Sequence, residues 1–283
     1  MARKTWRSLE AVHGMIYFTP DAPPAYAAIG ISSPRAGYFL SRSAAMGAVS
    51  ADVVVATFFN FHPGLVRRAM EGGWATASPE AVTSARLAAV DTSLRRAFGA
   101  EVVASAELRR AADLARRAAL VASEHPEGRP LFAGHASLPW PDEAHLVLWH
   151  AQTLLREFRG DGHVAALALA GLSGLDALLS HAGSGDVPAE VLRLTRAWSE
   201  DEWAAGLESF AARGFVDGTG TFTDAGRAQR QQIEDATDRA ALVAYAALTD
   251  EEAGELVALG RTLSKQVVAA GLMQVDPSRF DDS

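Results

Sequence analysis

Cysteine is absent from the 283 residues. That excludes a disulfide framework, a thiolate zinc site and a cysteine nucleophile. Lysine is nearly absent too, standing only at Lys4 and Lys265, and every other base is arginine. Together with the richness in alanine, this reads as the coding bias of a high-GC genome rather than selection for bidentate recognition. No uninterrupted apolar run reaches the length that spans a bilayer. The basic start Met1–Trp6 is followed by no apolar signal core. The expectation is a cytoplasmic chain without a membrane partner. P-loop, dinucleotide fingerprint, Gly-x-Ser-x-Gly elbow and His-Glu-x-x-His pair are all missing. Gly171-Leu-Ser-Gly-Leu lacks the strand that an elbow needs. No cofactor can be named, no metal site is readable, and whether the chain is an enzyme stays open. A basic surplus is lacking as well: the formal net charge is −8, whereas nucleic-acid binders usually carry a local positive excess.

What is present describes a globular, mainly α protein: 49% hydrophobic and 21% charged residues. Residues 1–50, with Pro23-Pro24 and Ser33-Pro34, fit short helices joined by loops. Residues 51–72 read as a helix interrupted at Phe58–Pro63, with Pro63 restarting it as a first-turn residue. Ser78-Pro79 caps a helix that runs to Phe98 and is stopped by Gly99. Another spans 104–123. Trp140-Pro141-Asp142-Glu143 opens a helix to Phe158, Arg159–Gly162 reads as a turn, and Asp161 then caps a helix from His163. Gly183-Ser184-Gly185 is the best boundary, giving a helical domain at 1–183 and a second unit at 187–283.

In the second unit a helix at 189–197 is followed by Ser199–Glu202, a capping box. The next helix carries Trp203, Leu207 and Phe210 on one face. Phe215-Val216 and Thr221-Phe222 flank a tight hairpin, and a long polar helix follows. This order, with Ala212-Arg213-Gly214-Phe215-Val216 and Thr223-Asp224-Ala225-Gly226-Arg227, resembles the winged-helix half of MarR-type regulators over about 50 residues. The whole chain also resembles a group of actinobacterial proteins with a helical first part and this winged helix at the end. The resemblance implies a C-terminal winged helix-turn-helix module and a second helix that meets DNA bases with its N-terminus. In this chain that N-terminus is Glu200-Asp201-Glu202. Residues 186–240 hold eleven acids against six arginines, a net of −5, and phosphate contacts need cations or donors. The charges therefore count against DNA as partner. A capping box at Thr249–Glu252 opens a last helix, where Leu256, Leu259, Leu263, Val267 and Ala270 form a stripe. It fits burial within the chain and, equally, a homodimer seam of the kind the resemblance implies.

The helical part supplies the candidates for small-molecule binding. Histidines lie beside aromatics and turns, at His62, His135 and His150 among others, with Trp140 nearby in sequence. Arg156, Arg159, Asp161 and His163 form the densest polar cluster, able to clamp an anion or move a proton. For most of these residues a structural role is the simpler account. Three functions follow from the sequence: a ligand-responsive regulator, an enzyme or ligand-binding protein with a His- and aromatic-lined helical pocket and the winged helix as scaffold, or a protein-interaction adaptor. A positive surface stripe would favour the first. A closed pocket containing Arg156, His163 or His62 would favour the second.

Overall fold

The computed structural model describes residues 1–185 and 187–273. Asp186 and residues 274–283, the end of the second expected unit, lie outside the described residues.

Among the described residues fifteen α-helices follow one another. The first nine are α1 (Ala2–Gly14), α2 (Ala22–Ala27), α3 (Pro34–Ser43), α4 (Ala51–Phe58), α5 (Pro63–Met70), α6 (Gly73–Thr76), α7 (Pro79–Val103), α8 (Ala106–Ala122) and α9 (Pro130–Ala136). Then come α10 (Ala144–Leu169), α11 (Gly174–Gly183), α12 (Ala189–Arg196), α13 (Glu200–Ala212), α14 (Asp224–Leu242) and α15 (Asp250–Ala269). Many of their starts are set by hydroxyl caps. Ser33, Ser50, Ser78, Ser105, Ser173, Ser199, Thr223 and Thr249 each accept a hydrogen bond from a first-turn N–H. Each satisfies a donor that the helix leaves unmatched. Gly99 adopts φ 70° and breaks α7 as its position predicts, but the helix resumes beyond it.

The centre is α10, packed against α1, α7, α8, α9 and α14. Residues 145–155 of α10 are buried at every position, so the helix has no solvent face there. Contrary to the expectation from sequence, Arg159-Gly160-Asp161-Gly162 is not a turn, because α10 runs through it to Leu169. Two glycines cost a helix about 1 kcal/mol each, and packing offsets that cost. At Gly162 a Cβ would already be 3.4 Å from Ala240 of α14. Asp161 accordingly does not cap a helix at His163. Its carboxylate accepts the N–H of Phe132 at 2.9 Å, in the first turn of α9.

Buried apolar side chains form two clusters. The larger runs from Ala2 to Leu272 and includes Leu256, Leu263 and Val267 of α15. Those residues of the terminal stripe thus pack inside the chain, α15 lying against α1, α7 and α8. The smaller cluster joins Leu167, Leu172, Leu179, Phe210, Val216, Phe222 and Ile233. Apolar packing crosses the expected division between 1–183 and 187–283 in both directions: α11 packs on α13, and α15 returns to α1. Within the smaller cluster Phe210 is fully enclosed, while Trp203 and Leu207 are only half-buried.

The hairpin after α13 is shorter than expected. Among the described residues no strand pair is formed; a single antiparallel bridge links Val216 and Phe222. Asp217 closes the turn by accepting the N–H groups of Thr219 and Thr221 through Oδ1. The segments 212–216 and 223–227 meet at Gly226, where a Cβ would overlap the Phe215 carbonyl oxygen. The Thr223 hydroxyl donates to the Gly214 carbonyl at 2.6 Å. Among the described residues no single helix is long and apolar enough to cross a membrane.

Candidate ligand cleft at the helix-turn-helix

The two clusters are joined by residues 58–62, the break between α4 and α5. Phe58 and Phe61 are buried in the larger cluster, whereas Phe59 packs on the smaller one. To point the opposite way Phe59 adopts φ 59° and ψ −55°, a conformation costly for a bulky residue and held only by its surroundings. Its carbonyl is pressed onto the start of α11, where only Gly174 leaves room. The Asn60 carbonyl accepts the indole N–H of Trp198 at 3.0 Å, and the His62 N–H donates to the Arg196 carbonyl at 3.0 Å. The His62 ring caps α5 through Nδ1, which accepts from the Gly64 N–H. Its Nε2 lies 3.1 Å from Glu202 of α13.

Beside this join is a cleft of about 350 Å³. Its walls come from α1, α3, α4 and α9, from the C-terminal half of α10, and from α11, α12 and α14. Four residues singled out in the sequence line it together: Arg156, Arg159, Asp161 and His163. They are neighbours on the continuous α10. The other four do not join them. His62 holds the junction. His135 is buried on α9, and burial, with Arg86 nearby, lowers its pKa to about 3. Trp140 meets His150 edge-on at 4.7 Å and carries the Arg116 guanidinium over its ring at 4.8 Å. Burial takes the pKa of His150 to about 4.

The charges in the cleft are mostly matched. Burial alone would raise the pKa of Glu157, but Arg42 and then Arg156 hold it at about 2. Arg42 reaches Glu157 at 3.2 Å and lies over the Phe58 ring at 4.3 Å. Arg156 also binds Glu10 at 3.1 Å. Arg159 spans Glu234 and Asp238 of α14 at 3.0 and 2.9 Å. Burial lifts the pKa of Asp161 to about 6, against the Phe132 N–H. His163 has its pKa lowered to about 4, chiefly by burial. Thr237 donates its hydroxyl proton to the Ile233 carbonyl, so His163 Nδ1–H donates to Thr237 at 2.9 Å. That leaves Nε2 of the neutral ring as an acceptor.

Sequence reading missed Arg42, Arg196, Arg230 and Glu234, which come from α3, α12 and α14. Only Glu157 carried a signal, as the acid between Arg156 and Arg159. Among the described residues no group of three or more His, Asp or Glu side chains could hold a metal ion.

On α13 the first-turn acids Glu200, Asp201 and Glu202 are followed by Ala204, Ala205, Glu208 and Ser209 on the outer face, all of them exposed. Three arginines around it are matched locally: Arg193 to Glu200, Arg213 to Asp176 and Arg227 to Asp224.

No curated protein and no solved structure matches the chain. A family model described as a helix-turn-helix family matches residues 2–274, nearly the whole length. Membership suggests a regulator of the DNA-binding type. The match takes in α1–α15 together, and the chain belongs to this helix-turn-helix family.

Proposed function

We propose that the protein is a ligand-responsive helix-turn-helix regulator of the MarR-like kind, working in the cytoplasm. A small molecule held in the cleft would set how α11–α14 sit on the body. The observation that carries this reading is the position of the cleft. One wall belongs to the α-helical body and the other to helices of the helix-turn-helix unit. A molecule touching both walls has different contacts when they separate, and only such a difference shifts a conformational equilibrium. The reduced hairpin, with Asp217 and no arginine at its tip, gives little for a minor groove, so DNA contact would rest on other surfaces.

A second reading is favoured by the acidic start of α13. Helix N-termini that meet phosphates or base edges normally offer donors, and Glu200, Asp201 and Glu202 repel a polyanion. On that reading the cleft belongs to an enzyme or a carrier of small molecules, and the helix-turn-helix serves as scaffold.

Fluorescence anisotropy against duplexes from the chain's own upstream region, from low to physiological salt, separates the two. Binding that exceeds that to random DNA and weakens steeply with salt supports the regulator. No binding at low salt retires it in favour of the second reading.

A further inference from the structure

One arginine of the cleft is matched by no carboxylate. Among the described residues none lies within ion-pair reach of Arg196, whereas Arg42, Arg156, Arg159 and Arg230 each have one. Arg196 donates through one terminal nitrogen to Thr195 at 2.8 Å and lies over the Phe61 ring at 5.2 Å. Its Nε is buried without a partner. Burial, with Arg42 and Arg35 nearby, lowers its pKa, and only Tyr38 works the other way. Two further buried donors on the same lining also lack partners, Arg42 Nε and Arg159 Nε. Buried donors of this kind are normally satisfied. The acids of the cleft are already committed: Glu157 to Arg42 and Arg156, Glu234 to Arg159 and Arg230, and Asp161 to the Phe132 N–H. Apolar groups line the cleft beside the charges: Tyr38, Phe58 and Phe61, whose rings lie under Arg42 and Arg196, and Phe59, Leu167 and Leu178.

We infer that the cleft binds a small organic anion, its carboxylate or equivalent group taken by the Arg196 guanidinium and its apolar body laid against the aromatic wall. The inference rests on the cleft being the ligand site of the regulator, and it supplies the chemistry of that ligand. A planar guanidinium pairs with a carboxylate through two parallel N–H bonds. A cation is left unmatched here and the acids are not, so a cationic ligand would face Arg196 without compensation. The anion also has a route to the helix-turn-helix. Arg196 is the last residue of α12, and its carbonyl accepts the His62 N–H across the join. Neutralising its side chain therefore acts at the contact between the body and the α12–α13 turn.

The test titrates the full chain with 2-naphthoate and with its uncharged counterpart, naphthalene-2-carboxamide, following tryptophan fluorescence without DNA. Trp6 lines the cleft and Trp198 stands at its edge. The expected result is saturable quenching by naphthoate and at least about tenfold weaker quenching by the carboxamide, the difference a charge-assisted pair makes. Arg196→Met keeps the apolar stem and should abolish that discrimination, while Arg196→Lys should retain part of it. Equal affinity for the two probes, no saturation at millimolar naphthoate, or full discrimination in the Arg196→Met variant would each overturn the inference. The wild-type comparison of probes needs no variant to fold. Naphthoate binding by a protein that ignores DNA would sink the regulator and leave the anion site standing. DNA binding with no discrimination between the probes would do the reverse.

Discussion

Glu157 lies between two guanidinium groups in the centre of α10, with 4% of its side chain exposed. Removing one partner of a buried ion pair leaves the other charge without solvent or counterion, which costs about 3–5 kcal/mol. Glu157→Gln keeps the shape and removes the charge. It is expected to lower stability by that order in urea denaturation at neutral pH; an unchanged midpoint would show that Arg42 does not depend on it. The buried histidines make a second prediction. Burial holds His13, His135, His150 and His163 neutral well below the usual range, whereas in an unfolded chain they protonate near pH 6.5. Asp161 works against them, since the fold keeps its proton up to about 6. Between about pH 6.5 and 4 the unfolded chain thus binds more protons, four histidines outweighing one aspartate. Stability present above pH 6.5 is lost as pH falls, by about 1.4 kcal/mol per pH unit for each unmatched proton at the steepest point. Denaturation midpoints measured from pH 7 to 5 should fall steadily, and a rise would contradict the buried neutral state of these rings.

Helix starts were legible because a cap is a local device. Ser78, Ser199 and Thr249 read correctly from three or four residues, and the structure uses them as such. The continuation of α10 through Gly160 and Gly162 was not legible. That stretch is held by packing against α14, some eighty positions away in the chain. The same distinction separates two glycines inside helices. At Gly254, on the exposed side of α15, an added methyl group would have nothing within 4 Å, while at Gly226 it would strike the Phe215 carbonyl. Gly254→Ala should therefore stabilise, by up to about 1 kcal/mol. Gly226→Ala should destabilise despite the same gain in helix propensity. Thermal melts of the two variants test this; stabilisation by both would mean that the hairpin does not rest on α14. The cleft was legible only where it lies on one helix, at Arg156–His163. Its remaining arginines converge from α3, α12 and α14, and no spacing in a sequence records such a meeting.

At the scale of the molecule, two apolar clusters meet over a join of five residues, where Phe58 and Phe61 face one way and Phe59 the other. Such a join transmits change only if the smaller cluster can shift without unfolding the larger. Polar links cross it at the Trp198 indole bonded to the Asn60 carbonyl, at the His62 N–H bonded to Arg196, and at the Arg35 guanidinium, 3.1 Å from the Thr195 carbonyl. Trp198→Phe removes the indole donor and keeps an aromatic ring against His62, which the indole meets edge-on at 5.1 Å. Because local openings draw on the contacts of their own unit, the amides of α12 and α13 should lose hydrogen-exchange protection while those of α10 keep theirs. Equal loss throughout would mean that the two clusters open as one cooperative unit. A cleft between them could then stabilise the protein by binding, but it could not set the helix-turn-helix apart from the body.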